Sequence, residues 1–157
     1  MVEKSEDALT CDQCGGNVRP ADDFCPGCGG IFKDHMMCCT HPQAEAAGVC
    51  LVCHHPYCAA CGSPIGKVFL CLKHATLEIF ECGASVCRSP DLRLGQIAFQ
   101  VLTERGYHPF FVPRAIAPVT NIGRLTPNQS VGPHLVIVPF EEYIEADKVL
   151  KKLEIIE

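Results

Sequence analysis

The sequence predicts small cysteine-rich domains, stabilised by bound metal, followed by an α+β domain. All 13 cysteines of the 157-residue chain lie within the first 87 residues, mostly in Cys-x2-Cys or Cys-x2-His pairs. This part of the chain has few long apolar runs, so it cannot bury a core large enough to fold unaided. The remainder contains no cysteine and alternates between strand-like and helix-like patterns.

The N-terminal stretch MVEKSEDALT is polar and acidic, so no signal peptide is expected. No segment reaches the roughly 18 apolar residues of a membrane span. We therefore expect a cytoplasmic protein, in which thiols stay reduced and regular cysteine pairs bind metal. The formal net charge is −5 and there is no basic patch, so nucleic acid is not an expected partner.

The segment CDQCGGNVRPADDFCPGCGG contains two matched cysteine pairs, and each pair is followed by two glycines. A tetrahedral tetrathiolate zinc site needs two tight turns, and glycine after the second cysteine relieves each turn. Val18 and Phe24 are expected to cover the site. The spacing resembles the zinc-ribbon family, and we assign residues 10–33 to a ribbon that follows a disordered N-terminus (residues 1–9). The expected ligands of this structural zinc are Cys11, Cys14, Cys25 and Cys28.

Four further pairs follow: Cys38-x2-His41, Cys50-x2-Cys53, Cys58-x2-Cys61 and Cys71-x2-His74. Such pairs suit two tetrahedral zincs. They are either nested, with the inner cysteines sharing one metal, or interleaved, with the first pair joining the third and the second joining the fourth. The link HHPY is short for folding two turns onto one ion, which favours interleaving. Cys39 beside Cys38 leaves the first ligand ambiguous, although Cys38 gives the regular spacing.

This order of pairs resembles the B-box zinc finger, a cross-brace relative of RING, over residues 36–76. The gap before the last pair exceeds the usual B-box gap, which suggests a prokaryotic variant. The resemblance implies two ligand sets, so that three zincs are expected in all. One set is Cys38, His41, Cys58 and Cys61, and the other is Cys50, Cys53, Cys71 and His74.

The remaining cysteines and nearby histidines are expected to be ordinary surface or core side chains. His54 and His55 are interpreted as exposed linker residues. An iron–sulfur cluster on the close cysteines would leave the histidine-containing pairs unexplained. The left-over residues are His35, Cys39, Cys82 and Cys87.

Residues 77–157 show the order β-α-β-β-α, with an optional short final strand in EIIE (154–157). The expected strands are LEIFEC (77–82), YHPFFV (107–112) and HLVIV (134–138). Proline in the second of these strands indicates an edge position.

The sequence marks both ends of the first helix. Ser89 is the expected N-cap, and Pro90 occupies the first helical position. Asp91 faces the positive end of the helix dipole, and Gly106 ends the helix. The second helix lies within PFEEYIEADKVLKKL (139–153), with acidic residues early and basic residues late. The expected apolar face of the first helix is Leu94, Ile97, Ala98, Val101 and Leu102.

This order is that of the split β-α-β in ferredoxin-like folds. The run from ERGYHPFFV to VIVPFEEYIEADKVLKKL resembles a prokaryotic signal-transducing family with a PII-like ferredoxin fold. The resemblance implies a sheet with two helices on one face. We also consider self-association through this domain.

Residues 114–133 form a long connection, which is either functional or mobile. Arg114, Asn121, Arg124 and Thr126 are candidates to contact an anionic ligand or a partner. A solvated hairpin extension is the simpler interpretation.

No enzymatic activity is expected, because zincs with four protein ligands cannot activate water. We expect a zinc-binding interaction or signal-transducing module with a protein partner. One alternative is a small-molecule sensor that uses the 114–133 loop, and another is a redox or zinc sensor that uses Cys39, Cys82 or Cys87. A ubiquitin-ligase role is less favoured because there is no separate RING and no coiled coil.

Overall fold

The computed structural model describes residues 9–81, 83–113, 115–116, 130–131 and 133–156. The chain forms two compact units, Met1–Thr76 and Leu77–Glu157. We refer to them as unit 1 and unit 2 and describe each by itself. Among the described residues, no helix combines the length and apolarity needed to cross a membrane.

Unit 1 consists of short antiparallel hairpins, and residues 9–76 contain no α-helix. The hairpins pair β1 with β2, β3 with β4, and β5 with β6. Leu9, which was predicted to belong to a disordered terminus, pairs with Val18. The strands are β1 Leu9–Thr10, β2 Asn17–Val18, β3 Gly48–Val49, β4 Pro56–Tyr57, β5 Gly62–Ile65 and β6 Val68–Cys71.

Residues 10–33 pack onto residues 36–76 through backbone hydrogen bonds and one buried ring. The amide of Val49 donates to the carbonyl of Gly29, and the amide of Phe69 donates to the carbonyl of Cys28, each at 2.8 Å. The Phe69 ring is buried. A Cβ at Gly48 would lie 2.4 Å from this ring, and a Cβ at Gly62 would lie 2.7 Å from it. Glycine is therefore required at both positions for the ring to fit.

Unit 2 contains a four-stranded antiparallel sheet in the order β7-β8-β12-β9, together with a separate two-stranded ladder of β10 and β11. The elements are β7 Ile79–Phe80, β8 Gly83–Ser89, α1 Leu92–Glu104, β9 Phe110–Val112, β10 Ala115–Ile116, β11 Ser130–Val131, β12 His134–Val138, a 3₁₀ turn Phe140–Glu142 and α2 Tyr143–Lys152.

Both helices of unit 2 contribute to one core with the central strands of the sheet. Leu102 of α1 and Leu150 of α2 are fully buried in it, against Val136 of β12. Strand β12 coincides with the predicted HLVIV strand, and β9 lies at the sheet edge, as the proline before it indicated.

The start and face of α1 differ from the prediction. Asp91 is the N-cap and accepts a hydrogen bond from the Arg93 amide at 2.8 Å. Ser89 ends β8 instead, and its hydroxyl accepts from the Asp91 amide. Ile97 is 48% exposed, whereas Gly95 is buried. A Cβ at Gly95 would lie 2.9 Å from the Phe111 ring, so the helix approaches the sheet at its glycine rather than at Ile97.

Two strand predictions are also corrected. The LEIFEC strand is reduced to Ile79–Phe80, which turns directly into the longer β8 that had not been predicted. No strand forms over residues 154–156. Glu154 adopts a positive φ of 55°, and the amide of Ile155 donates back to the Leu150 carbonyl. This turn folds Ile155 onto the core of unit 2.

We expect Gly48→Ala to destabilise unit 1 by about 1–3 kcal/mol, because the added methyl group overpacks the Phe69 site. The free energy of opening is measured by hydrogen exchange at the Val49 and Phe69 amides of the zinc-loaded protein. The control is Ala21→Val, which adds methyl groups at an exposed position of the same unit. Equal stability of the two variants would contradict the role given to the ring.

Candidate metal centres

Zinc site 1 comprises Cys11, Cys14, Cys25 and Cys28. Two similar turns carry its cysteine pairs. In the first, the amide of Gly15 donates to the Cys11 carbonyl, and in the second the amide of Gly29 donates to the Cys25 carbonyl, each at 2.8 Å. Both glycines have positive φ, 74° and 80°, which is why glycine follows the second cysteine of each pair.

Backbone amides surround the thiolates of site 1. Gly16 donates to Cys14 Sγ at 3.4 Å, and Gly27 donates to Cys25 Sγ at 3.3 Å. Donors of this kind stabilise the charged form of a thiol. Val18 is buried among the ligands, as predicted, whereas Phe24 is half-buried and contacts His54 at a ring-centroid distance of 6.3 Å.

The remaining ligand candidates form two groups, and each group combines residues from alternate pairs. Zinc site 2 comprises Cys38, His41, Cys58 and Cys61. Zinc site 3 comprises Cys50, Cys53, Cys71 and His74. The first pair thus joins the third and the second joins the fourth, which is the interleaved arrangement. In both groups the histidine faces the cysteines through Nδ1.

The ligand spacings fit tetrahedral zinc. Zn–S bonds of about 2.3 Å and Zn–N bonds of about 2.0 Å place tetrahedral sulfurs about 3.8 Å apart and sulfur about 3.5 Å from nitrogen. In site 1, Cys11 Sγ lies 3.8 Å from Cys28 Sγ. Cys58 Sγ lies 3.5 Å from His41 Nδ1, and Cys50 Sγ lies 3.5 Å from His74 Nδ1. The three groups fit three zinc ions, so the cofactor prediction is confirmed.

The HHPY link forms the turn between the two inner pairs. The amide of His54 donates to the Cys50 carbonyl at 2.8 Å, and His54 has a φ of 57°. His54 therefore occupies the position that glycine holds in site 1. His55 Nδ1 lies 2.7 Å from the Cys53 carbonyl oxygen. Both histidines are exposed, as predicted, and neither joins a ligand group.

Each site contains one thiol with a lowered pKa. Backbone amides of Cys14 and Gln13 lower the pKa of Cys11 to about 7. Burial raises the pKa of Cys38, but backbone donors, first among them Cys58, lower it by more, to about 6. Hydrogen bonds from the thiol of Cys50 and the hydroxyl of Tyr57 lower the pKa of Cys53 to about 7. These three thiols therefore ionise more readily than a free cysteine, and the thiolate is the form that binds zinc.

Tyr57 is a residue of site 3 that sequence reasoning missed. Its hydroxyl lies 3.6 Å from Cys53 Sγ. The tyrosine stands next to the third cysteine pair, and no spacing rule connects it with the second pair. Its position in β4, which pairs with β3 just before Cys50, brings it to the site.

The left-over residues lie apart from the three sites. Cys38 belongs to the ligand group of site 2, whereas Cys39 is exposed and joins none of the three groups. Cys87 is buried in the core of unit 2, and burial raises the pKa of its thiol. His35 Nδ1 lies 3.2 Å from a carboxylate oxygen of Glu45. None of the twelve described cysteines forms a disulfide.

Several predicted residues lie outside the described part of the chain. Cys82 is one of them. The others are the loop candidates Arg114, Asn121, Arg124 and Thr126.

No family model matches the sequence, and no curated protein or solved structure matches it either. The resemblances to the zinc ribbon, the B-box and the PII-like family therefore rest on residue patterns alone.

We expect the purified protein to carry three zincs per chain, counted by native mass spectrometry. Cys38→Ala should reduce the count to two, because site 2 keeps only three ligands and cannot close its coordination shell. Cys39→Ala is the matched control, one residue away, and should retain all three. A loss of zinc from the Cys39 variant but not from the Cys38 variant would contradict the ligand set of site 2.

Proposed function

We propose that this chain is a non-enzymatic zinc-binding protein that acts as a protein-interaction or signal-transducing module. The observation that carries the proposal is the closure of all three zinc sites. Each site offers four ligand atoms that lie within 4.8 Å of one another. A zinc with four protein ligands has no position for a reactive water, so its role is structural.

We propose three domains within this module: a zinc ribbon at residues 10–33, a B-box-like double finger at residues 36–76 and a PII-like domain at residues 77–157. The paired turns of site 1 support the first assignment, and the interleaved ligands support the second. For the third assignment, β12 lies between β8 and β9 and runs antiparallel to both, and α1 connects β8 to β9. That is the arrangement of the split β-α-β in ferredoxin-like folds.

Exposed apolar side chains on unit 1 support a protein partner. Leu72 is 66% exposed although it lies between the ligands Cys71 and His74 of site 3, and Phe32 is 45% exposed. Zinc coordination fixes the backbone that presents Leu72. Apolar side chains on a rigid backbone lose little entropy on binding, which favours a role in recognition. Ten zinc thiolates also favour a reducing compartment, such as the cytoplasm.

We also propose that unit 2 self-associates through the exposed edge of its sheet. Strand β9 is an edge strand, and Phe110 and Val112 on it are 52% and 40% exposed. Exposed apolar edge strands are templates for pairing with another chain. A second copy that pairs with β9 would cover both side chains.

A redox or zinc sensor is the second candidate function. The observation that favours it is the exposed thiol of Cys39, next to a ligand of site 2. The burial of Cys87 disfavours it as the reactive thiol, because reactive thiols need access to solvent. Counting zincs by native mass spectrometry after alkylation of Cys39 tests this candidate, since a sensor thiol must change the occupancy of site 2 when it reacts.

Excess chelator should unfold residues 9–76 and leave residues 83–113 and 133–156 folded, because structural zinc contributes about 10 kcal/mol or more of folding free energy. Amide chemical-shift dispersion in NMR spectra recorded before and after zinc removal measures the outcome for each unit. The amides of unit 2 serve as the internal control. If unit 1 retained its dispersion without metal, the zincs would not be structural and the proposal would fail.

Replacing Phe110 with lysine should abolish self-association, because a charge on the edge strand opposes pairing with a second copy. Sedimentation velocity across a concentration series gives the oligomeric state. Leu153→Lys is the matched control, since Leu153 is 42% exposed at the end of α2. A wild-type chain that stays monomeric at every concentration, or a Phe110→Lys variant that associates as the wild type does, would contradict this surface.

A further inference from the structure

The three zinc sites differ in how well the protein covers them. Sites 1 and 3 each have three buried ligands and one half-buried ligand. Site 2 has two buried ligands, while Cys61 is half-buried and His41 is exposed. A donor atom from solution therefore meets the least obstruction at site 2.

An open cleft of about 600 Å³ lies against site 2. Two of the four ligands, His41 and Cys58, line it, and the rest of its wall comes from the turn at residues 40–44 and from Ala60. In associative ligand exchange the incoming donor reaches the metal before the old ligand leaves, and zinc can expand to five ligands. The cleft gives a small molecule this approach.

Sites 1 and 3 are linked to each other through the backbone, and the Cys58–Cys61 half of site 2 is linked to site 3, because the Leu72 amide donates to the Cys61 carbonyl at 3.0 Å. Cys28 of site 1 accepts a hydrogen bond from the Phe69 amide, two residues before Cys71 of site 3. The Val49 amide, immediately before Cys50, donates to the carbonyl of Gly29. Opening either site strains the other.

The segment that carries Cys38 and His41 is more self-contained. It forms a small loop closed by its own hydrogen bonds. The Cys38 amide donates to the Ala44 carbonyl, and the Ala46 amide donates to the Met36 carbonyl. The Cys39 amide attaches it to the Pro56 carbonyl at 2.9 Å. Residues 36–46 supply two of the four ligands of site 2, so without zinc they lose the coordination that holds them to Cys58 and Cys61.

We propose that site 2 is an exchangeable zinc site, from which a low-molecular-weight thiol removes the metal through this cleft while sites 1 and 3 remain loaded. The thiolate sulfur bonds to zinc as the bond to His41 Nδ1 breaks. Zinc stays divalent and no electrons are transferred. As zinc leaves, Cys38, Cys58 and Cys61 take up protons from water. The released segment 36–46 then opens without unfolding the rest of unit 1. This proposal depends on zinc occupancy alone, not on the interaction role.

The test uses the zinc-loaded full chain with reduced glutathione and a limiting chromogenic zinc chelator. Native mass spectrometry follows the zinc count, and alkylation with N-ethylmaleimide followed by peptide mapping identifies the freed thiols. Loss of one zinc from three should expose Cys38, Cys58 and Cys61 to alkylation. Cys39 is the internal reference, because it is exposed and outside every site, so it reacts before and after the loss.

Hydrogen exchange on the two-zinc protein provides the structural readout. The amides of Cys38 and Ala46 should lose protection, while those of Val49 and Phe69 keep theirs. The proposal would be overturned if N-ethylmaleimide labelled the cysteines of site 1 or site 3 before those of site 2. Simultaneous loss of all three zincs would also overturn it. This test is independent of the chelator experiment described under the proposed function. If all three zincs left together, unit 1 would still unfold and the structural role of zinc would stand, but the exchange of site 2 alone would be overturned.

A pair of variants tests the route. Ala60→Leu narrows the cleft and should slow the loss of the first zinc, provided that the starting protein carries three. Ala21→Leu is the control, since Ala21 is an exposed alanine in the loop between the two turns of site 1. Equal rates for Ala60→Leu and the wild type would overturn entry through this cleft. If the purified Ala60→Leu variant carried fewer than three zincs, the order in which the wild-type cysteines are alkylated would decide whether site 2 loses its zinc first.

Discussion

Zinc–thiolate coordination is the interaction on which residues 9–76 depend. Their strands are two to four residues long, and no helix supports them. Strands this short are marginal in water. Ten cysteines and two histidines converge at three points instead. Structural zinc contributes about 10 kcal/mol or more, comparable with the whole stability of an ordinary domain, about 5–15 kcal/mol.

The same constraint supports the proposed role of unit 1 as a scaffold. Four ligands consume the coordination shell of each zinc, and backbone amides around the sulfurs stabilise the thiolates that bind it. Phe69 then joins residues 10–33 to residues 36–76, because glycines at 48 and 62 leave room for its ring. Sites 1 and 3 are thus well covered by the protein, and site 2 lies nearer to solvent.

The ligand pairs were predictable because a zinc-binding turn is local: cysteine spacing and the following glycine define it within a few residues. The packing of Phe69 was not predictable, since its partners Gly29 and Gly48 are distant in the sequence. The turn position of His54 was not predicted, because a histidine there takes a positive φ that usually needs glycine. Strand β8 was not predicted because apolar and polar residues alternate only weakly in GASVCRS. The buried face of α1 was wrongly predicted because the helix approaches the sheet closely at Gly95, which leaves Ile97 exposed.

Correlated proton–cadmium NMR of the ¹¹³Cd-substituted chain tests the central claim most directly, because it assigns each cysteine to its metal through bonds. Three cadmium signals are predicted. One should correlate with four cysteines (site 1), and the other two with three cysteines and one histidine each (sites 2 and 3). Correlation of Cys50, Cys53, Cys58 and Cys61 with a single cadmium would show the nested arrangement and contradict the interleaved one.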